Sequence, residues 1–131
     1  MRTENRKIST IAAALLCVTT PAFASWTSVA EDQRGTSYAD ATTIEKHGST
    51  VKMWSILDHR TFQRMVEVGY FSQKSHVEYD CAGGRMRGLH TALHAEHMGA
   101  GAVIYEDDSA HEWESIVPDS ASEILWKVAC K

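Results

Sequence analysis

The sequence predicts an α+β domain, an antiparallel sheet of about six strands with a C-terminal helix packed on it and joined to it by a disulfide. Short segments of alternating apolar and polar residues are separated by turn signals roughly every ten residues, as in antiparallel sheets. No internal stretch has helical periodicity, which disfavours a parallel βαβ fold. Only the tail has apolar residues at helical spacing.

Residues 1–24 have the features of a secretory signal peptide. Three cations precede an apolar run over residues 8–18, and an A-x-A motif ends at Ala24, just before Ser25. A run of roughly eleven residues is too short to span a bilayer, which takes about 20. We therefore expect cleavage between Ala24 and Ser25 and an exported domain, not membrane-spanning, over residues 25–131.

Cys17 leaves one alternative open, because a cysteine near the end of an apolar run can carry the lipid of a bacterial lipoprotein. The residue before it is then normally small, and here it is Leu16. We therefore expect a periplasmic or secreted protein, with display on the cell surface as the alternative.

The charge of the expected mature chain excludes one class of partner. Removing residues 1–24 takes away three cations and one anion, so the net charge falls from −4 to −6. A chain that binds a phosphate backbone needs a basic patch. The sequence therefore predicts that the domain does not bind nucleic acid. The 107 residues of the expected mature chain are enough for one domain with its own core and too few for two.

The strands are expected in the following order. A hairpin begins at Trp26, and a turn at Gly48 leads into "VKMWSILD" (51–58), which is apolar on both faces and so indicates a central strand covered on both sides. Residues 59–67 fit either a short helix or a loop. Later strands are expected at 70–81, 85–95 and 102–105, with turns at 82–84 and 98–101.

The tail predicts an amphipathic helix. Ser120 and Glu123 form a capping box, and apolar residues recur at 121, 124, 125 and 128. Trp126 and Cys130 are four residues apart and so share a neighbouring stripe of the same helix.

Cys81 and Cys130 are the two cysteines of the expected mature chain. Exported proteins meet an oxidising environment, and two cysteines are the minimum for one bridge. Cys81 shares a strand face with apolar neighbours, and Cys130 lies on the last helical turn, so a bond between them would tie the helix to the sheet. Closing a loop of about 50 residues is worth about 4 kcal/mol. The alternative is two free buried thiols.

The order of these features resembles the surface-adhesin protein E family of Gram-negative envelope proteins. The resemblance lies in "YAD" (38–40), "VKMW" (51–54), "VEYDC" (77–81), "MGAGAV" (98–103), Trp113, "VPDS" (117–120) and "LWKVAC" (125–130). It implies a sheet of about six strands with a helix crosslinked to it. It also implies an adhesin that engages host extracellular-matrix protein and can form a homodimer.

Three histidines in "HTALHAEH", His90, His94 and His97, are candidate metal ligands. On a helix the three imidazoles would lie on one side and could bind zinc, copper or nickel. On a strand His90 and His94 would lie roughly 13 Å apart and His97 would face the other way. We favour the strand, so no metal or other cofactor is expected, and a periplasmic metal-binding protein that uses these residues or His111 is the alternative function.

No motif for catalysis is present, so a non-enzymatic binding domain is expected. Asp80 precedes a cysteine expected in a disulfide, which cannot act as a nucleophile, and is expected to be exposed or to cap the turn at Gly83. Residues 105–114 are expected to form a solvated acidic loop. Trp113, set between acids in "HEWES", is the tryptophan expected to be partly exposed and to contact a protein partner, whereas Trp54 and Trp126 are expected in the core.

Overall fold

The computed structural model describes residues 14–17 and 24–131. The predicted signal peptide therefore lies mostly outside the described residues. No helix in these two ranges is long and apolar enough to cross a bilayer.

The chain forms one antiparallel sheet in which each of the six main strands pairs with the next one along the sequence. A further strand of two residues, Glu114–Ser115, pairs with Arg85 and Met86 of the fifth main strand, at the same edge as the sixth. This arrangement confirms the predicted α+β fold with six main strands and a C-terminal helix. The elements are β1 (Thr27–Glu31), β2 (Gly35–His47), β3 (Thr50–Met65), β4 (Val68–Asp80), β5 (Arg85–His94), a 3-10 turn (His97–Gly99), β6 (Val103–Asp107), β7 (Glu114–Ser115) and α1 (Ala121–Ala129).

The cap of α1 follows the predicted capping box in one of its two contacts. The Ser120 hydroxyl accepts a hydrogen bond from the Glu123 backbone N–H at 3.3 Å, which satisfies one of the free donors at the helix start. The Glu123 carboxylate instead pairs with the Lys127 ammonium at 3.3 Å, one turn further along.

The core lies between α1 and one face of β2, β3 and β4. Met53, in the central strand β3, is 0% exposed, and Tyr79 lies beside it on β4. Burial raises the pKa of the Tyr79 phenol, because the charged form would lose its hydration. The other buried residues of this core are Ala39, Val51, Val77 and Ala129.

A disulfide joins α1 to the sheet. Cys81 directly follows β4, Cys130 directly follows α1, and their Cα atoms are 5.6 Å apart. One turn before Cys130, the Trp126 indole N–H donates to the Asp80 carbonyl oxygen at 3.3 Å. The predicted bond between Cys81 and Cys130 is therefore confirmed, and Trp126 packs against the core as expected.

The prediction that β3 is covered on both faces holds only in part. Ile56, on the face away from α1, is buried near Gly99 of the 3-10 turn. Trp54, on the same face, is only half-buried and stacks on His76, with ring centroids 4.6 Å apart. Trp54 was expected in the core, and this part of the prediction is wrong, because α1 covers the other face.

Two loop assignments also change. Residues 59–67, which the sequence left as helix or loop, form the outer part of the β3–β4 hairpin. Residues 105–114 are not one loop, because Tyr105–Asp107 belongs to β6 and Glu114 begins β7.

Candidate partner-binding groove

The helix leaves part of its own side of the sheet uncovered. It lies over β1, β2 and β3 and reaches the end of β4 through Trp126, whereas the side chains further along β4 and on β5 continue beyond it on the same face. The chain from His111 to Glu114 runs along the outer edge of β5. A groove of about 590 Å³ lies over the uncovered part of β4 and β5, beside this segment. It is lined by Gln73, Ser75, Val77, Met86, Gly88, Thr91, His111, Glu112, Trp113 and Glu114.

The floor of this groove is continuous with a second, smaller hollow that reaches α1. The hollow has a volume of about 180 Å³ and shares four floor residues with the groove. Its other end is bounded by Ala121, Ser122 and Leu125 of α1. We use "the groove" for the larger volume and "the acidic wall" for residues 111–114.

Main-chain hydrogen bonds fix the acidic wall. The His111 N–H donates to the Gly88 carbonyl oxygen at 2.8 Å, and the Ile116 N–H donates to the Gly84 carbonyl oxygen at 3.0 Å. Just before the wall, the Asp107 carboxylate accepts hydrogen bonds from the Ser109 hydroxyl and backbone and contacts His111 Nε2 at 2.8 Å. These contacts hold the pKa of Asp107 well below its usual range.

Trp113, the predicted contact residue, is half-buried and lies against two arginines. Its ring centroid is 4.7 Å from the Arg87 guanidinium carbon and 5.3 Å from that of Arg85. Such cation–π contacts favour one orientation of the indole. The indole is therefore held at the edge of β5, with part of its surface available to a partner.

Each arginine is in turn held by a carboxylate. Arg85 binds Asp80 at 2.8 Å, and Arg87 binds Glu78 at 2.6 Å. Burial alone would raise the pKa of Glu78, but hydrogen bonds from Arg87 and Thr50 outweigh it and hold the pKa below its usual value. Asp80 also accepts a hydrogen bond from the Gly83 N–H at 2.9 Å, so it caps the turn as expected.

The structure does not bring the predicted histidines together. His90 and His94 lie on β5, His97 lies in the 3-10 turn with Nδ1 3.0 Å from Asp58, and His111 lies in the acidic wall. Among the described residues, the group with ligand atoms close enough for one ion is His90 with Glu106 and Asp108, all within 4.8 Å of one another.

Sequence reasoning missed the two carboxylates of this group. Glu106 pairs with Ala92 across β5 and β6, which places it and Asp108 on the same face as His90. The alternation of Glu106 and Asp108 was a usable signal, but it required the register between β5 and β6.

The comparisons with known proteins agree with this fold. The model of the family described as surface-adhesin protein E matches residues 26–131. A solved structure of Haemophilus influenzae protein E is 15% identical, with a TM-score of 0.61, and the match covers 80% of this chain and 83% of that one. Protein E from non-typeable Haemophilus influenzae is also 15% identical, with a TM-score of 0.58 and coverage of 85% and 78%. No curated protein sequence matches this chain.

Identities this low show a shared fold, whereas the family match spans the whole described domain and includes both bonded cysteines. The chain belongs to the surface-adhesin protein E family.

Proposed function

We propose that residues 25–131 act, after cleavage between Ala24 and Ser25, as an exported, non-enzymatic domain that binds a protein partner through the groove. The observation that carries this proposal is the open groove beside the acidic wall, with Trp113 at its side and with the smaller hollow leading from its floor to α1. Membership of a family described as surface adhesins supports a binding role. The site of action is the periplasm, the medium or the cell surface.

The chemistry of the groove favours an extended, basic segment of the partner. Its floor offers the amide and hydroxyl groups of Gln73, Ser75 and Thr91, which can bind a peptide main chain. Glu112 and Glu114 lie at the acidic wall, and the expected mature chain has a net charge of −6. Lysine and arginine side chains of the partner would complement these charges. A host extracellular-matrix protein is one such partner.

The same domain is proposed to form a homodimer through β6. This strand is at the edge of the sheet, and Val103 and Tyr105 on it are 49% and 43% exposed. Edge strands offer unpaired main-chain groups for pairing with another chain. Light scattering that gives the mass of one protomer at micromolar concentration would contradict the dimer.

Reversing one charge of the acidic wall tests the groove. The mature domain is immobilised, partners are captured from solubilised extracellular matrix and from envelope extract, and affinity for the captured protein is then measured. We expect Glu112→Lys to weaken binding about tenfold or more, since it places a cation against a basic segment.

Glu45→Lys is the matched control, because Glu45 is an exposed glutamate on β2, distant from the groove. It makes the same change of charge and should leave the affinity within about twofold of the unchanged domain. Equal losses in the two variants would mean that only net charge matters, and no loss in Glu112→Lys would place the partner elsewhere.

A second candidate function is metal binding by His90, Glu106 and Asp108. Each of these residues has one ligand atom within 4.8 Å of those of the other two, and one imidazole nitrogen with two carboxylates suits zinc with water in the remaining position. Calorimetry with zinc on the tag-free mature domain should show a micromolar site that is lost in His90→Gln and kept in His47→Gln, an exposed histidine on β2. No saturable heat would remove this candidate.

A further inference from the structure

Asp40, on β2, is a buried carboxylate with an unusual set of partners. Its side chain belongs to a residue that is only 2% exposed. Oδ1 accepts hydrogen bonds from the Thr42 backbone N–H at 3.0 Å and the Thr42 hydroxyl at 2.5 Å. Oδ2 accepts one from the Ser25 backbone N–H at 3.1 Å.

No cationic side chain of the described residues forms an ion pair with this carboxylate. Lys74 is near, but its ammonium lies over two indole rings, 5.7 Å from the centroid of Trp26 and 5.1 Å from that of Trp54. Buried charges in proteins are normally paired with an opposite charge as well as hydrogen-bonded. The pairing of Asp40 is therefore incomplete as long as Ser25 supplies only a neutral amide.

We propose that cleavage of the Ala24–Ser25 bond supplies the missing cation. This inference rests on the proposed cleavage of the signal peptide. A signal peptidase adds water across the peptide C–N bond, so that Ala24 leaves with a carboxylate and the Ser25 nitrogen becomes an amine. That amine takes up a proton at neutral pH, where an α-amino group is largely charged. The resulting ammonium forms an ion pair with the Asp40 carboxylate.

The geometry requires little movement for this pair to form. The nitrogen of Ser25 is already within hydrogen-bond distance of Oδ2, and one N–H donor becomes three. A cavity of about 210 Å³ adjoins the carboxylate and is lined by Ala24, Trp26, Asp40, Thr43, Trp54 and Lys74. Departure of Ala24 would widen this cavity and leave room for the ammonium and water. Charge-assisted hydrogen bonds of this kind are stronger than those of a neutral amide.

The pair would fix the start of β1 to β2. Chain ends fray unless they are tied down, and Ser25 stands only two residues before β1. The mature domain would then be tied at both ends, by the ion pair at the first residue and by the disulfide at Cys130. The precursor would have only the second tie, so removal of the signal peptide would complete the folded domain.

Three chains with different N-termini test the proposal. One begins at Ser25 with a free amine, one is the same chain acetylated at that amine, and one begins at Ala24, which moves the charge by one residue. The acetylated chain keeps the N–H but loses the charge. We expect Tm to be lower by about 4 °C or more for the second and third chains than for the first.

Substitutions separate the ion pair from a general effect of the chain end. Asp40→Asn should abolish the Tm difference between the free and acetylated chains, whereas the control Asp32→Asn, at an exposed aspartate in the β1–β2 turn, should preserve it. Equal Tm values for the free and acetylated chains would overturn the proposal, and so would a difference that persists in Asp40→Asn.

A second readout covers the case in which Asp40→Asn does not fold. In the unchanged chain, an NMR titration should give the Ser25 α-amino group a pKa above about 8, the ordinary upper value, and an unshifted pKa would overturn the proposal. Mass spectrometry of the exported protein should find Ser25 as the first residue, and another first residue would also overturn it. Partner capture by the groove does not enter these measurements, so the two proposals can fail separately.

Discussion

Replacing both Cys81 and Cys130 with serine will lower the free energy of unfolding by about 4 kcal/mol, the largest effect expected from any change in this domain. The bond joins residues 49 positions apart, so its loss releases a long loop in the unfolded chain. For a domain of this size the change corresponds to a drop in Tm of about 20 °C. Thermal unfolding followed by circular dichroism measures it.

The reducing agent provides the control for this prediction. Dithiothreitol should lower the Tm of the unchanged domain to nearly that of the double serine variant, and it should leave the Tm of the variant itself unaltered. If the unchanged domain unfolds at the same temperature with and without reductant, the bond does not support the fold as described.

Met53→Ala is expected to cost about 3 kcal/mol of unfolding free energy. Met53 is 0% exposed and lies in the central strand beneath α1, where the surrounding sheet cannot collapse into the space that the side chain leaves. Urea unfolding should show a lower midpoint with an unchanged slope, because the surface exposed on unfolding stays the same.

Val68→Ala is the matched comparison for Met53→Ala. Val68 is 42% exposed at the start of β4, so its truncation should cost about 0.5 kcal/mol or less. Similar losses in the two variants would place the core elsewhere than between α1 and β2 to β4.

The sequence predicted those parts of the fold whose signals are local. The cap at Ser120, the helical spacing of the tail and the alternation that leads to Cys81 each depend on neighbouring residues, and all appear in the structure. The strand assignment for residues 85–95 is right to within one residue for the same reason.

The placement of α1 could not be predicted in this way. An apolar pattern on both faces of β3 does not show which face the helix covers, so Trp54 was assigned to the core although it stacks on His76 at the other face. The 3-10 turn at His97–Gly99 covers Ile56, and nothing in the local sequence indicates that contact.

The sequence singled out one residue of the candidate groove, Trp113, but it did not predict the groove itself. Trp113 could be selected because acids flank it, and the structure places it beside the groove. The floor at Gln73, Ser75 and Thr91 depends on the register of β4 with β5 and on which part of the sheet α1 leaves uncovered, both of which are long-range features. The contact between Ser25 and Asp40 is similarly set by the β1–β2 register.

The covalent link between the last turn of α1 and the end of β4 is the feature on which the fold depends, and it requires the oxidising environment that an exported protein meets. Its most direct test is a peptide map of the exported protein, digested without reductant after free thiols are blocked. We expect the peptides that contain Cys81 and Cys130 to appear as one disulfide-linked species with no blocked thiol. Recovery of both peptides separately, each with a blocked thiol, would contradict it.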